Sequence, residues 1–391
     1  MSTHRPLIYL IAGEESGDRL GGPLMRELRD LLDGEVTFAG VGGPMMMDAG
    51  LKSLFPMQEL SVMGLTEVLP RLPGLIRRIN QVTADIRARR PNLLITIDAP
   101  DFCFRVAKRL KGEGVPLVHY VAPTVWAWRP GRAKKVSAFL DHLLALLPFE
   151  PPYFEAHGLA CTYVGHPVLE SGADKGNGSA FRAARGIGAD APLMVLLPGS
   201  RAGEAGRLLP VFTETLQRLR ATVPGMHIVI PTVPATREKV ENAIAGLGMQ
   251  VHLVGTDREK FDAFAAADVA LAASGTVALE LAMAGTPAVI GYRMAPVTAF
   301  LARRLVTSPY ANLVNIILGR EAVPERVLED CQPDLLAAEV ERLFTSSAAR
   351  EAQQQAYRDA LSALGYGRIQ PNRRAAETVL AILRTKENGA A

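Results

Sequence analysis

Cysteines are scarce in this 391-residue chain, and their placement excludes two classes of protein. Cys103, Cys161 and Cys331 lie far apart without a CxxC pair, so neither a disulfide framework nor a zinc site is expected. The N-terminus lacks the basic, apolar and small-residue order of a signal peptide. We therefore expect a chain that works in a reducing, cytoplasmic compartment.

A second absence is an apolar run long enough to span a membrane. Residues 263–292 come closest, with only Asp268 and Glu280 as charges. These acids, with Gly275, Gly285 and Pro287, divide the segment into pieces shorter than the roughly 18 apolar residues that a span needs. The segment is predicted to form strand, loop, helix and strand.

What the sequence does contain is an alternation of strand-length apolar runs with amphipathic stretches, which is typical of parallel α/β sheets. The alternation pauses at the polar, glycine-rich residues 171–180 and then restarts. The predicted strands lie at 7–13, 36–42, 93–98, 117–122, 142–148, 193–199, 227–232, 251–255, 269–274 and 287–291. Beyond residue 333 only helices are predicted.

This pattern predicts an α/β fold with two doubly wound, Rossmann-like domains facing across a cleft, followed by C-terminal helices. The expected boundaries are 1–170 for the N-terminal domain, 171–180 for a linker, 181–350 for the C-terminal domain, and 351–391 for helices that pack back on the N-terminal domain. Ligands of such sheets bind beyond the carboxyl ends of the strands.

Positive charge is concentrated between residues 71 and 135, where 14 Lys and Arg face 4 Asp and Glu. A band of this kind suits phosphate groups or an anionic bilayer, and equally a solvated helix face. Charge alone leaves these interpretations open.

Three loops that follow predicted strands could carry chemistry. In residues 12–22, AGEESGDRLGG, two adjacent glutamates argue against a pyrophosphate cradle, and a contact with an acceptor sugar or with the other domain fits better. A helix N-cap by Ser16 or Asp18 is the simpler interpretation. In residues 196–204, LLPGSRAGE, the turn at Gly199 and Ser200 followed by Arg201 suits a diphosphate or a plain helix cap.

The third loop, residues 272–287, is the strongest candidate for an anion site. Ser274, Gly275 and Thr276 open a helix whose first turn carries no acid, which leaves its N–H groups available. Glu280 lies one turn inside this apolar helix, where its carboxylate needs a partner. Either ribose hydroxyls or a cationic side chain in an ion pair would provide that partner.

The stretch DAPD, residues 98–101, ends a buried strand on two acids. One interpretation is a capping box, with Asp98 as N-cap, Pro100 in the first turn and Asp101 at N3. The other is catalytic, because Asp98 lies at the carboxyl end of a strand and a carboxylate there can accept a proton from an alcohol.

The histidines show no metal-binding spacing, and a satisfied core histidine is the commoner case in apolar strands. No metal is expected. Residues 60–81 interleave apolar side chains with Arg71, Arg77 and Arg78, which is typical of a membrane-interface or acyl-binding segment and also of an ordinary core-facing helix.

With these residues in view, nearly the whole chain resembles the lipid-A-disaccharide synthases, inverting glycosyltransferases of the GT-B fold. The resemblance rests on AGEESGD, FAGVGGPMM (38–46), ELSVMGLTEVLP (59–70), TIDAPDF (96–102), YVAPTVWAWRPGRAKK (120–135), LLPFEPPYFEAHG (146–158), YVGHP (163–167), LLPGSRAGE and SGTVALELA.

The resemblance implies the joining of UDP-2,3-diacylglucosamine to 2,3-diacylglucosamine 1-phosphate, giving a β-1,6 disaccharide and UDP without a metal or another cofactor. It implies catalytic roles for Asp98, as the base, Arg201 and Asn315, with capping left to Asp101. Asn315 aligns with a family asparagine in PYANLVN (309–315), although Asn312 is an extra candidate.

The implied UDP-binding residues are Gly199, Ser200, Arg201, Ser274, Gly275, Thr276 and Glu280. Those implied for the lipid acceptor are Glu15, Ser16, Val62, Met63, Leu65, Leu69, Leu72, Leu75 and Ile76. The implied location is the inner face of the cytoplasmic membrane, held peripherally. Nucleic acid is not an expected partner, and a homodimer is compatible with the resemblance.

Two alternatives remain at this stage. A UDP-N-acetylglucosamine 2-epimerase shares the fold and a metal-free site, but would need further acids for proton abstraction at C2. A non-catalytic nucleotide-sugar-binding protein would need no base at all.

Overall fold

The computed structural model describes residues 5–60 and 65–389, with side chains except those of 65–72, 296–297, 301–302 and 387–389. The described chain forms two compact units, Met1–Pro167 with Gly367–Ala391, and Val168–Tyr366. Each unit contains a six-stranded parallel sheet.

The first unit has a sheet of order β2-β1-β3-β4-β5-β6. Its strands are β1 (Leu7–Ala12), β2 (Thr37–Val41), β3 (Leu93–Ile97), β4 (Leu117–Tyr120), β5 (His142–Ala145) and β6 (Ala160–Tyr163). Its helices are α1 (Glu15–Leu31), α2 (Pro44–Asp48), α3 (Leu65–Arg89), α4 (Pro100–Leu110), α5 (Arg132–Ser137) and α6 (Pro151–Glu155). The apolar runs of β1 and β3 are buried almost throughout, as expected for strands covered on both faces.

The second unit has a sheet of order β12-β11-β10-β7-β8-β9. Its strands are β7 (Leu193–Leu197), β8 (His227–Pro231), β9 (Gln250–Val254), β10 (Val269–Ala272), β11 (Ala288–Tyr292) and β12 (Glu325–Val327). Its helices are α7 (Gly178–Ala184), α8 (Ala202–Thr222), α9 (Arg237–Ile244), α10 (Asp257–Ala266), α11 (Val277–Ala284), α12 (Pro296–Leu305), α13 (Leu313–Leu318), α14 (Pro333–Thr345) and α15 (Ser347–Ala363).

The last helix, α16 (Pro371–Gly389), belongs to the first unit although it follows the second in sequence. Val379 and Leu383 are buried in the first core, and the Arg373 guanidinium lies 3.4 Å from the Glu27 carboxylate of α1. The helix α15 packs differently from expectation. The Gln353 amide bonds both the N–H and the C=O of Ala288 in β11, so this helix is part of the second unit.

Residues 171–180 also differ from the expected linker, because they fold as part of the second unit. A 3₁₀ turn spans Ala173–Lys175, and α7 begins at Gly178. The side chain of Asn177 caps α7 by accepting from the N–H of Ala180, while its own N–H donates to Asp262 of α10. The polar and glycine-rich composition of residues 171–180 thus reflects helix capping and not a flexible linker.

All ten predicted strands are confirmed, and so are the helices after residue 333 and the strand, loop, helix and strand of 263–292. The sequence interpretation missed β6 and β12, which are short strands at the sheet edges. Among the described residues, no helix combines the length and apolar character that crossing a bilayer requires.

Candidate active site

Each sheet has one point where the strand order reverses, and ligands of doubly wound sheets bind beyond the carboxyl ends of the strands at that point. In the first sheet the reversal lies between β1 and β3, and in the second between β7 and β10. The loops that leave these four strands are the ones the sequence singled out. The structure therefore places the predicted site residues of these loops in two groups, one in each unit.

The first group centres on Asp98, which follows β3. The Ser16 hydroxyl, in the first turn of α1, donates a hydrogen bond to Asp98 with 2.7 Å between Oγ and Oδ2. Glu15 is exposed and lies 3.3 Å from the Arg19 guanidinium. One oxygen of the Asp98 carboxylate is thereby held in place.

The backbone at Asp98 shows that the capping-box prediction was wrong. Asp98 and Ala99 have φ values of 50° and 42°, a left-handed conformation that is costly for residues other than glycine. Ala99, not Asp98, is the N-cap residue of α4, and Asp101 stands exposed at the second helical position instead of N3. This turn places Asp98 one residue before the cap, with its side chain against Ser16.

The first-turn capping predicted for Ser16 or Asp18 was also wrong. The N-cap residue of α1 is Glu14, which makes no side-chain cap hydrogen bond. The buried carboxylate of Asp18 instead accepts from the N–H groups of Gly43, Met45 and Met46, and so caps α2. Asp18 thus has a structural role that spacing along α1 did not show.

Gly13 allows the two loops of the first group to approach closely. A Cβ atom at this position would lie 2.6 Å from the Cβ of Ala99, closer than real Cβ contacts allow. A side chain at residue 13 would force apart the turns that carry Ser16 and Asp98. The first Gly of AGEESGD is therefore required by packing.

A neighbouring loop, after β4, is held by a buried acid that the sequence interpretation missed. The Trp126 indole donates to Glu150 Oε1 at 3.1 Å, and the N–H groups of Leu146 and Leu147 donate to Oε2. Burial raises the pKa of Glu150 to about 7, although these three donors act in the opposite direction. The available signal was an acid enclosed by aromatic and proline residues in PFEPPYF.

The second group begins at the turn after β7. Gly199 has a φ of +102°, and a Cβ there would lie 2.2 Å from the Glu204 carboxylate. Burial raises the pKa of Glu204, while Arg201 and Arg207 lower it. Ser200 and Arg201 are exposed, and Arg201 is the N-cap residue of α8. The turn thus presents a guanidinium and helix N–H groups together.

The turn after β10 lies beside it, since β7 and β10 pair in parallel register and Ala273 N–H donates to Leu197 O at 2.7 Å. The helix α11 begins at Val277, and its N-cap residue Thr276 makes no side-chain cap hydrogen bond. In the part of the chain that the structure describes, no atom other than those of residues 274–276 lies within 4 Å of a Cβ built on Gly275. There is consequently open space at this helix N-terminus.

Glu280 forms an ion pair, which was one of the two interactions predicted for it. Lys260 Nζ of α10 lies 3.1 Å from Glu280 Oε2 and 3.1 Å from Asp257. The side chain of Glu280 is mostly buried. A ribose contact therefore stays a prediction, now for a carboxylate already held by a lysine.

Asn315 is fully hydrogen-bonded within the second unit. Its Nδ2 donates to Val323 O and Glu325 Oε1, and its Oδ1 accepts from the N–H groups of Ala322 and Val323. All of its amide capacity is used. Direct contact of Asn315 with a substrate would require breaking one of these bonds.

Glu325 links Asn315 to the turn after β10. Its two oxygens accept from the N–H groups of Ala311 and Asn312, and the Ser274 hydroxyl donates to Ala311 O at 2.7 Å. Asn312 is buried, and its Nδ2 has no hydrogen-bond partner among the described residues. Glu325 was not identified from the sequence, which offers only a lone acid at the start of a short strand.

Two histidines of the first unit, His119 and His166, are buried. Burial lowers the pKa of His119 to about 3 and that of His166 to about 4. His119 Nδ1 lies 2.8 Å from the Thr96 hydroxyl, as expected for a satisfied core histidine. Over the described residues there is no group of three or more His, Cys, Asp or Glu side chains that could hold a metal ion.

The predicted lipid segment is described only in part. Val62 and Met63 lie outside the described residues, as do the side chains of Leu65, Leu69 and Leu72. Leu75 packs partly against the first core, whereas Ile76 is 43% exposed. Arg78 pairs with Glu59 and lies over the Phe55 ring, so part of the basic band is neutralised locally.

Comparison with known proteins decides the family. The model of the lipid-A-disaccharide synthetase family matches residues 8–379. The chain belongs to the lipid-A-disaccharide synthase family. The synthase of Rhodospirillum centenum is 55% identical over 379 residues, covering 96% of this chain and 94% of that protein. The synthase of Paramagnetospirillum magneticum is 50% identical over 382 residues, covering 97% of this chain and 98% of that protein.

Solved structures support the fold class. The S. aureus MnaA–UDP co-structure is similar with a TM-score of 0.66 at 12% identity, covering 98% of this chain and 97% of that one. The Acinetobacter baumannii MurG structure has a TM-score of 0.58 at 15% identity, covering 97% of this chain and 99% of that one. At these identities the likeness shows the fold alone, the GT-B type. Family membership confirms a glycosyltransferase of lipid A biosynthesis over the epimerase alternative.

Proposed function

We propose that the chain transfers a 2,3-diacylglucosamine unit from UDP to the 6-hydroxyl of 2,3-diacylglucosamine 1-phosphate, with inversion at the anomeric carbon. The acceptor oxygen forms the new bond to C1 as the bond between C1 and the UDP oxygen breaks. The products are a β-1,6 disaccharide 1-phosphate and UDP. The observation that supports this most is the Ser16–Asp98 hydrogen bond at the first reversal point.

In this mechanism Asp98 is the general base. Ser16 holds Oδ2, so Oδ1 takes the proton of the acceptor hydroxyl as the new bond forms. The left-handed backbone at Asp98 and Ala99 supports this role, because such strain is typical of functional sites. Glu15, exposed beside Ser16, contributes a hydrogen-bond acceptor for sugar hydroxyls.

Stabilisation of the UDP leaving group falls to the second unit. Arg201 and the N–H groups of Gly275, Thr276 and the first turn of α11 supply positive charge for the developing diphosphate. Gly199 and Ser200 form the adjoining turn, and Glu280, held by Lys260, accepts from ribose hydroxyls. Asn315 acts through Glu325 as a positioning residue, since its amide is saturated.

The lipid nature of both substrates places the enzyme at the inner surface of the cytoplasmic membrane. We propose that apolar residues of the segment 60–76, among them Leu75 and Ile76, contact the acceptor's acyl chains. The basic residues that follow would meet anionic headgroups.

The test is product analysis with purified protein, UDP-2,3-diacylglucosamine and 2,3-diacylglucosamine 1-phosphate in detergent with EDTA. The expected result is stoichiometric UDP and a lipid of disaccharide mass. Absence of that product, with UDP binding intact, would overturn the proposal. Solvent deuterium appearing at C2 of the donor would instead indicate an epimerase.

A further inference from the structure

The helix α12 carries apolar side chains on the surface of the second unit. Phe300 is 52% exposed, and Leu305 and Val306, at the end of the helix and just after it, are 40% and 43% exposed. Ala299 is buried, so the helix has an inner and an outer side. We define the α12 surface as Phe300, Arg304, Leu305 and Val306.

The charge of this surface has one sign. The helix sequence, PVTAFLARRL, contains no acid and ends in Arg303 and Arg304. Arg303 is paired with Glu329, whereas the guanidinium of Arg304 lies over the Phe300 ring, 4.1 Å from its centroid. An exposed phenylalanine and leucine beside an arginine are typical of helices that lie in the interface of an anionic bilayer.

Both ends of α12 are connected to the proposed UDP site. The helix follows β11, which pairs with β10 in parallel. The chain therefore enters α12 from the carboxyl ends of these strands, where Ser274 also lies. After the helix the chain returns to Ala311, whose C=O accepts from the Ser274 hydroxyl and whose N–H donates to Glu325. The α12 surface therefore lies in a segment whose two ends adjoin the turn after β10, which we call the donor turn.

We propose that the α12 surface docks on an anionic lipid bilayer and so brings the second unit to its lipid-linked donor. The donor's identity rests on the proposed function, whereas bilayer binding itself does not. A second copy of the chain is a poorer fit, because stable protein interfaces use roughly 20–30 residues a side. The α12 surface has four residues and matches an interfacial anchor in composition.

The main test compares two double variants by flotation with vesicles of phosphatidylglycerol and phosphatidylethanolamine. Phe300→Ser/Leu305→Ser removes the apolar part of the α12 surface. Val233→Ser/Leu335→Ser removes two similarly exposed residues elsewhere in the same unit. The first is expected to lower vesicle partitioning at least about tenfold, and the second less than about twofold. UDP binding by both variants shows that the unit is folded.

The charge of the surface is tested separately. Arg304→Gln is expected to weaken binding to the anionic vesicles about fivefold and to leave binding to phosphatidylcholine vesicles unchanged. Arg258→Gln is the control, an exposed arginine in α10, the helix that follows β9.

Unchanged partitioning of Phe300→Ser/Leu305→Ser, with UDP binding intact, would overturn the proposal. So would a variant that binds vesicles normally but changes from dimer to monomer, since that outcome assigns the surface to a second copy. A wild-type protein that binds vesicles through this surface yet forms no disaccharide would contradict the proposed function and leave this inference standing.

Discussion

Ser16 and Asp98, 82 residues apart in sequence, are joined by a hydrogen bond of 2.7 Å at the point where the strand order of the first sheet reverses. The bond connects the turn after β1 with the turn after β3. It fixes one oxygen of a carboxylate whose own backbone is held in a left-handed conformation. In the proposed mechanism this arrangement orients the base before its substrate arrives.

Removal of the Ser16 hydroxyl tests this orientation. Ser16→Ala is expected to lower kcat about 10- to 100-fold, because hydrogen bonds to charged groups contribute about 1.5–3 kcal/mol. Affinity for UDP should not change. Ser137→Ala, which removes a hydroxyl bonded within α5, is the control and should keep full activity. Equal kcat for both variants would exclude an orienting role for Ser16.

Loss of the Arg201 guanidinium should weaken nucleotide binding. Arg201→Gln is expected to raise the Kd for UDP about tenfold or more, since charge-assisted bonds to phosphate are lost. The measurement is calorimetric titration at two salt concentrations, with a smaller salt dependence in the variant. Arg237→Gln, an exposed arginine of the same unit paired with Glu241, serves as control. Identical UDP affinities would remove Arg201 from the site.

Glu325 is expected to position the donor turn without touching the substrate. In Glu325→Gln one carboxylate oxygen becomes an NH₂ group, so one of its N–H partners at Ala311, Asn312 or Asn315 is left unsatisfied. The predicted cost is about 1–3 kcal/mol locally, seen as faster amide exchange at residues 311 and 312 and weaker UDP binding. Glu321→Gln, an exposed neighbour, should do neither. A uniform loss of stability with normal UDP affinity would indicate a structural role alone.

The raised pKa of Glu150 predicts how the stability of the fold changes with pH. Its pKa is about 7 in the folded chain against an ordinary 4.5, so between these values the folded state holds a proton that the unfolded state releases. Its contribution to stability is full below about pH 4.5 and is lost as the pH rises through about 7, by about 3 kcal/mol at most.

Glu150→Gln removes the titrating carboxyl group, although its NH₂ group cannot accept the N–H bonds of the oxygen that it replaces. The variant should therefore lack the loss of stability that wild type shows as the pH rises from about 5 to about 8, measured by unfolding followed through tryptophan fluorescence. Glu155→Gln, an exposed acid of α6, should not alter the pH dependence. A variant whose stability falls with pH as steeply as that of wild type would show that Glu150 does not cause the pH dependence.

The fold could be predicted because apolar periodicity is a local signal. Buried parallel strands such as Leu93–Ile97 are apolar on both faces, whereas β6 and β12 are short edge strands without that signature. The unit boundaries could not be predicted in the same way. The membership of α15 depends on Gln353 reaching β11, a contact between residues 65 apart.

Within the candidate site, position relative to a strand end was a better guide than capping rules. Asp98 resembles a cap in sequence, yet a left-handed turn at Ala99 moves the helix start and turns its carboxylate to Ser16. The role of Glu325 depends on backbone groups of Ala311 and Asn312 that have no residue-specific signal. Hydrogen bonds between distant loops decide these roles, and spacing along the chain does not encode them.

The most direct test of the account is the comparison of Asp98→Asn with Asp101→Asn in the disaccharide assay. Asparagine cannot accept the acceptor's proton, so Asp98→Asn is expected to lower kcat about 10²- to 10⁴-fold while the Kd for UDP stays within about twofold. Asp101→Asn, exposed in the same turn, should retain kcat near the wild-type value. A fully active Asp98→Asn variant would contradict the assignment of the base.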